Sequence, residues 1–325
     1  MVSIIITTCD RAEFLRDALE SVRRQTARCE IGQVIVSENS LAVESEDVCC
    51  QFPDLPILYL QQRPPVSALL HLQGVWKHVQ HPLVAYLHDD DWWAPEHLER
   101  ALQALRSNPG CVAVFSNYFF TEGPEYPPSF DQGPSWRIWI ATGCNLAAPV
   151  LDLTRESVLL ASLLNTSFAY PTMVGEAGAV RESYCEILET GNEYDNDRTF
   201  PVFLASRGTI AFLTVPDVYI RSHPGQDTRR SKYSGANSLK HMRRTTEWMR
   251  ARWPTEFAAA IGKFNSAFAA LDPACQAAVG ASVNGQLAEF GLTLPRQPRS
   301  FRWFLRQIAP PILSGLYGRL RRGHA

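Results

Sequence analysis

A large excess of either charge is missing from this chain. Its 31 lysines and arginines nearly balance 33 aspartates and glutamates, leaving a formal net charge of -2. That balance excludes a dominant nucleic-acid surface. Long apolar runs are missing too, since no stretch reaches the ~20 residues that a transmembrane helix needs. No basic segment precedes the first apolar run, which ends at Cys9-Asp10-Arg11, so a signal peptide is not expected. The eight cysteines (Cys9, Cys29, Cys49, Cys50, Cys111, Cys144, Cys185 and Cys275) show no C-x-x-C or Cys/His zinc spacing. They are expected to be reduced thiols of a cytosolic protein, several of them buried. Glycine is absent from Thr8 to Arg11, and no internal repeat is visible.

What remains is a chain of 325 residues, 46% apolar and 20% charged, ordinary for a globular protein and long enough for one large domain plus an appendage. Ser3 to Thr8 is β-branched and apolar on both faces, as in a buried strand of a parallel sheet. A helix follows, with Asp10 and Glu13 fitting a capping box and Phe14, Leu15, Ala18, Leu19 and Val22 forming an apolar stripe. Further strands are expected at Gln33 to Ser37, Ile57 to Leu60, Leu83 to Leu87 and Val112 to Phe115. Helices are expected at Val66 to His78 and after Pro95, where Leu98, Leu102 and Leu105 recur. This alternation predicts βαβ units and an α/β, Rossmann-like, mostly parallel sheet flanked by helices.

Thr121 to Thr142 is rich in Pro, Gly and aromatics and reads as a loop or lid. Arg155 to Leu164, Arg181 to Thr190 and Arg198 to Arg207 read as helices, followed by a strand at Thr209 to Val215 and an extended piece at Val218 to His223. Helical segments at Leu239 to Arg252, Glu256 to Ala269 and Pro273 to Phe290 place a soft boundary near Asp227. Residues 1–226 are thus expected to form the α/β domain and 227–325 a helical C-terminal region.

Ligands of open α/β sheets bind at the carboxyl ends of the strands. Asp10, Glu38 and Asp89-Asp90-Asp91 all fall just after strands, so the fold would gather them at one edge. Three consecutive carboxylates repel one another unless a cation sits among them. Asp89 and Asp91, at i and i+2, can point the same way, and such a pair with substrate phosphates suits Mg2+ or Mn2+. The bland alternative is a solvated acidic turn capping the next helix. Ser37-Glu38-Asn39-Ser40 could bond a nucleobase or ribose, or form a plain turn. In Asn192 to Arg198 a carboxylate could be a general base or only a helix cap. His223, at the end of Tyr219-Ile220-Arg221-Ser222-His223, could be a metal or phosphate contact or a packed histidine. Trp92, Trp93, Trp136 and Trp139 could stack on a ligand's rings, though aromatics are more often core.

Together these pieces resemble the inverting glycosyltransferase family 2, with its GT-A fold, over roughly residues 2 to 224. Val2 to Arg11 resembles the family's "VSVIIPTYNR" opening, Val34 to Ser40 its "VVSDNSS" variant and Tyr86 to Asp91 its "FLDDDD" segment. The resemblance implies a nucleotide-sugar site formed by Thr8, Asp10, Arg11, Glu38, Asp89 and Asp90, with Glu38 in the place of a base-reading Asp. It implies metal ligands among Asp91, Asp89 and His223, the last from a "YRxH"-like piece. It implies a catalytic base about eleven residues before the helix-ending Gly208, which is Asp197, with Asn196 where the family has Glu and Asp195 as the runner-up.

The implied reaction moves a sugar from a UDP- or dTDP-sugar to a hydroxyl of a carbohydrate or lipid-linked glycan, in polysaccharide or glycoconjugate synthesis. The competing readings are a non-catalytic nucleotide-sugar or glycan-binding protein of the same fold, and a nucleotidyltransferase, which the missing glycine after the first strand argues against. Phe301 to Arg322 mixes aromatic and aliphatic residues with five arginines. It reads either as a peripheral contact with the inner face of a membrane or as a helix packed on the catalytic domain.

Overall fold

The computed structural model describes residues 1–41, 44–126, 147–164, 168–190, 196–226 and 246–271, together with positions 128, 273 and 276. The expected loop beyond 126, with Trp136 and Trp139, therefore lies largely outside the described residues, as do Asp195, most of the expected helix at Pro273 to Phe290 and the basic tail from Phe301.

Among the described residues the core is a nine-stranded sheet. Strands β1 (Val2–Thr8), β2 (Ile31–Glu38), β3 (Ile57–Gln61) and β4 (Leu83–His88) pair in parallel in the order β3-β2-β1-β4. Their β-branched and aliphatic runs are buried on both faces because helices cover each side. One face packs on α1 (Ala12–Arg23) through Leu15, Ala18, Leu19 and Val22, and on α4 (His97–Ser107) through Leu98, Ala101 and Leu102. Helices α2 (Glu44–Cys49) and α3 (Ala68–Val75) complete the βα alternation.

The remainder of the sheet is mixed, within the mostly parallel sheet that was expected. Beyond β4 the order continues through β8 (Val174–Glu176), β6 (Cys111–Thr121), β9 (Thr209–Arg221) and β5 (Trp92–Trp93), with β7 (Val150–Leu153) also on β9. β8 runs antiparallel to both β4 and β6, and β5 and β7 run antiparallel to β9. Gly175 lets the short β8 fit, since a Cβ there would lie 2.8 Å from the Val112 carbonyl. The strand and the extended piece expected at Thr209 to His223 are one strand. Its register against β6 shifts where Pro216 faces Asn117, and Asn117 Nδ2 donates to the Thr214 carbonyl there (3.1 Å).

Helices α5 (Arg155–Leu164), α6 (Ala177–Thr190) and α7 (Asn196–Ala205) follow the expected segments, α6 starting four residues earlier than expected. Helix α8 (Pro254–Ala270) packs against α5, where Arg155 meets Glu256 at 2.8 Å. No described helix is long and apolar enough to cross a membrane. The described cysteines Cys9, Cys29, Cys49, Cys50, Cys111 and Cys185 are free thiols, Cys49 and Cys111 buried. Cys144 and Cys275 lie outside the described residues.

Candidate active site

Strands β1, β2 and β4 end side by side, with Thr7 level with Ser37 and His88, and Thr8 level with Glu38. The turn after β1 differs from the expected capping box. Asp10 adopts a left-handed backbone (φ 59°), the helix N-cap is Arg11, and no side chain caps it. Asp tolerates that conformation, at a cost that neighbouring bonds must offset. Glu38 supplies one such bond. It is fully buried, its Oε1 accepts the Asp10 N–H at 3.1 Å, and its Oε2 accepts the Ser45 hydroxyl at 2.5 Å. Asn39 clamps the facing loop in both directions, donating to the Val66 carbonyl (2.8 Å) and accepting the Val66 N–H (2.9 Å). Ser37 meets the buried His71 at 2.7 Å, and burial pushes the His71 pKa down to about 4.

The acidic triplet closes β4 and is buried throughout. Arg11, from the turn after β1, reaches Asp89 (3.3 Å) and Asp90 (3.1 Å) with one guanidinium nitrogen, and its other nitrogen donates to the Gly225 carbonyl. His223 Nε2 lies 3.0 Å from Asp90 Oδ2, and His88 Nδ1 lies 3.3 Å from Asp91 Oδ2. Burial, and then the Asp90 carboxylate beside it, push Asp89 up to about 7. Asp89 Oδ2 and the Thr8 hydroxyl are both buried without a hydrogen bond of good geometry, although the hydroxyl's nearness favours the charged carboxylate. Burial also raises Asp91. For Asp90 burial is outweighed by His88, the His223 hydrogen bond and Arg11, which hold it below the usual carboxylate range. Arg11 and the hydrogen bonds from Arg221 and His223 offset part of the cost of burying three adjacent carboxylates.

Arg221, at the end of β9, is the buried cation that ties this edge together. Its backbone N–H donates to Asp91 Oδ1 (2.9 Å), its Nε to the Asp90 carbonyl (2.9 Å) and its Nη2 to Asp17 on α1 (2.5 Å). Its guanidinium lies over the rings of Phe14 (4.6 Å) and Trp92 (4.9 Å). Trp92 in turn stacks on Tyr219. Trp93 is core, donating its indole N–H to the Pro171 carbonyl at 2.7 Å. Beneath this seam His97 and Asp217 pair at 2.9 Å, both fully buried.

The sequence-predicted groups Thr8, Asp10, Arg11, Glu38, Asp89, Asp90, Asp91 and His223 therefore share one edge. Of the expected metal ligands only Asp91 falls in the described group whose donor atoms could hold a metal ion, His88, Asp90 and Asp91, all within 4.8 Å of one another. Asp89 instead faces Arg11 and Thr8, and His223 buttresses Asp90. Asp197 lies on the first turn of α7, and Asp195 lies outside the described residues. Arg221, His88 and Asp17 were not singled out from sequence. Strand alternation was the available signal, because Arg221 shares the i, i+2 face of Tyr219 and His223.

Residues 3–147 match the family described as glycosyl transferase family 2. That span belongs to glycosyltransferase family 2. It contains the Asp10 turn, Glu38 and the acidic triplet, while Asp197, Arg221 and His223 lie beyond it. No curated protein matches the sequence. Among solved structures, S. aureus TarS 1–349 in complex with UDP-GlcNAc superposes with a TM-score of 0.61 at 13% identity, covering 90% of this chain and 81% of that one. The same protein in complex with UDP gives 0.58 at 12% identity, covering 89% and 79%. The longer S. aureus TarS structure gives 0.58 at 12% identity, covering 89% of this chain and 49% of that one. At such identities the likeness is one of fold, and the family-2 fold agrees with the GT-A expectation.

Proposed function

We propose that this family-2 glycosyltransferase moves a sugar, with inversion, from a uridine or deoxythymidine diphosphate donor to a hydroxyl of a carbohydrate or lipid-linked glycan, with a divalent metal at the acidic triplet. The observation that carries the reading is the convergence of the Asp10–Arg11 turn, the triplet and the Arg221–His223 segment on one sheet edge within a family-2 fold. The UDP-GlcNAc and UDP complexes of the structurally similar TarS support the choice of nucleotide.

The residues present fit a divalent cation. One ring nitrogen of His88 and one oxygen each of Asp90 and Asp91 can converge on a point, and the crowded carboxylates gain from a further positive charge. Bound there, the metal would neutralise charge growing on the diphosphate leaving group. Asp89 would face the ribose side, and Arg11 would add positive charge beside the diphosphate. Asp197, at the start of α7, would take the proton from the acceptor hydroxyl as it attacks, with Asp195 the alternative.

The test is nucleotide release from a panel of nucleotide sugars with Mn2+ or Mg2+. Wild type should turn over at least one donor, and chelation or Asp91→Ala should stop turnover while the protein stays folded. Tight donor binding without turnover under any condition would favour a non-catalytic binding protein. Full activity in Asp91→Ala would sink the site.

A further inference from the structure

The acidic triplet is not an all-carboxylate site, because His88 precedes it at the end of β4. Its side chain is 41% exposed, its Nδ1 lies 3.3 Å from Asp91 Oδ2, and its ring stands edge-on to Tyr86 at 5.7 Å and 87°. Tyr86 is itself fixed, its hydroxyl 3.1 Å from that of Thr7 on β1. The imidazole is thus held against a packed ring on a strand rather than free on a loop. One of its nitrogens and the Asp90 and Asp91 carboxylates lie within 4.8 Å of one another.

Three features of this donor set act in the same direction. A neutral imidazole contributes no negative charge to the site. Arg11 already draws on Asp89 and Asp90, and Arg221 donates to Asp91 and to the Asp90 carbonyl. Part of the carboxylate charge is therefore spent before any metal arrives. Mg2+ depends on hard oxygen donors in near-ideal octahedral geometry and gives up its water reluctantly. Divalent transition ions accept an imidazole nitrogen more readily than Mg2+ does, Mn2+ the least strongly of their series. We propose that His88 is a direct nitrogen ligand of the metal, and that it makes this site select a transition metal ion of the Mn2+ type over Mg2+. The proposal rests on the metal-dependent reading above and deepens it.

The experiment uses the full chain, stripped of metal, with UDP present. Mn2+ binding is followed by the loss of the free-ion paramagnetic resonance signal, and Mg2+ by its competition with bound Mn2+. Pulsed paramagnetic resonance of the bound Mn2+ then looks for a coupled nitrogen. Wild type should bind Mn2+ at least ~10-fold more tightly than Mg2+ and show imidazole nitrogen coupling. His88→Gln should lose that coupling, and His88→Asp should narrow the preference while still binding metal. His223→Gln should keep the coupling. Equal binding of both ions, or coupling that survives in His88→Gln and vanishes in His223→Gln, would overturn the role of His88 while leaving a metal site. Failure of both ions to bind would overturn the metal reading itself. Circular dichroism of each variant separates these outcomes from misfolding.

Discussion

Replacing Asp217 by alanine should destabilise the fold by about 3–5 kcal/mol, the range for removing one partner of a buried ion pair. Asp217 and His97 are both fully buried, with Nδ1 and Oδ1 2.9 Å apart, and Arg100 approaches the second oxygen at 3.8 Å. The pair joins α4 to β9, and the Asp217 carbonyl accepts the Ala94 N–H (2.7 Å) just after β5. Without the carboxylate, His97 is left in an apolar pocket beside Trp93 with no partner for its ring nitrogens. At roughly 2 °C per kcal/mol for a domain of this size, the midpoint of thermal unfolding should fall by about 6–10 °C. Urea titration followed by circular dichroism measures the change, with His97→Phe and the double variant His97→Phe/Asp217→Leu completing a cycle. The double variant should lie within about 1 kcal/mol of wild type, because two apolar residues of similar volume avoid the desolvation of both groups. A loss below about 1 kcal/mol in Asp217→Ala, or simple additivity across the cycle, would refute the assignment of that pair as a buried anchor of the β5–β9 seam.

His71 carries a pH signature. Its folded pKa is depressed to about 4 by burial, so between about 4 and the ordinary value near 6.5 the unfolded chain binds the extra proton. Its contribution is full above pH 6.5 and declines as pH falls toward 4, and His71→Phe should flatten that part of a stability–pH curve. An unchanged slope would show that His71 does not titrate as argued. Glu38→Ala removes the acceptor of both the Asp10 N–H and the Ser45 hydroxyl and should cost about 3–6 kcal/mol in urea titrations, at ~1.5–3 per bond to a charged group; no loss would mean that the left-handed turn holds itself. Asp197→Asn should leave UDP affinity within about twofold and lower transfer by 10²-fold or more, the range for losing a general base. If Asp195→Asn does so and Asp197→Asn does not, the base is Asp195.

Much of the parallel half of the sheet was legible in the sequence. β1, β2 and β4 are aliphatic and β-branched runs that only a doubly covered sheet would bury, and each ends in polar residues. Other elements left no local trace. β5 is two tryptophans long, and its pairing is decided by Val218 and Tyr219 far along the chain. β8 is three residues long and is defined by contacts with β4 and β6. The Asp10–Glu13 spacing matched a capping box, yet Glu38 captures the Asp10 N–H from across the sheet, a tertiary bond that overrides the local pattern. The triplet itself was plain, but its division of labour was not. Which carboxylate faces His88, Arg11 or His223 depends on β4 pairing with β1 and on the return of β9.

The most direct test of the central claim is calorimetric titration of UDP into the metal-free protein, into the protein with Mn2+, and into Asp91→Ala with Mn2+. The expected result is binding that requires Mn2+ and is lost in Asp91→Ala, with unfolding midpoints otherwise close to wild type. UDP binding of equal strength in all three would contradict a metal-held diphosphate at the acidic triplet.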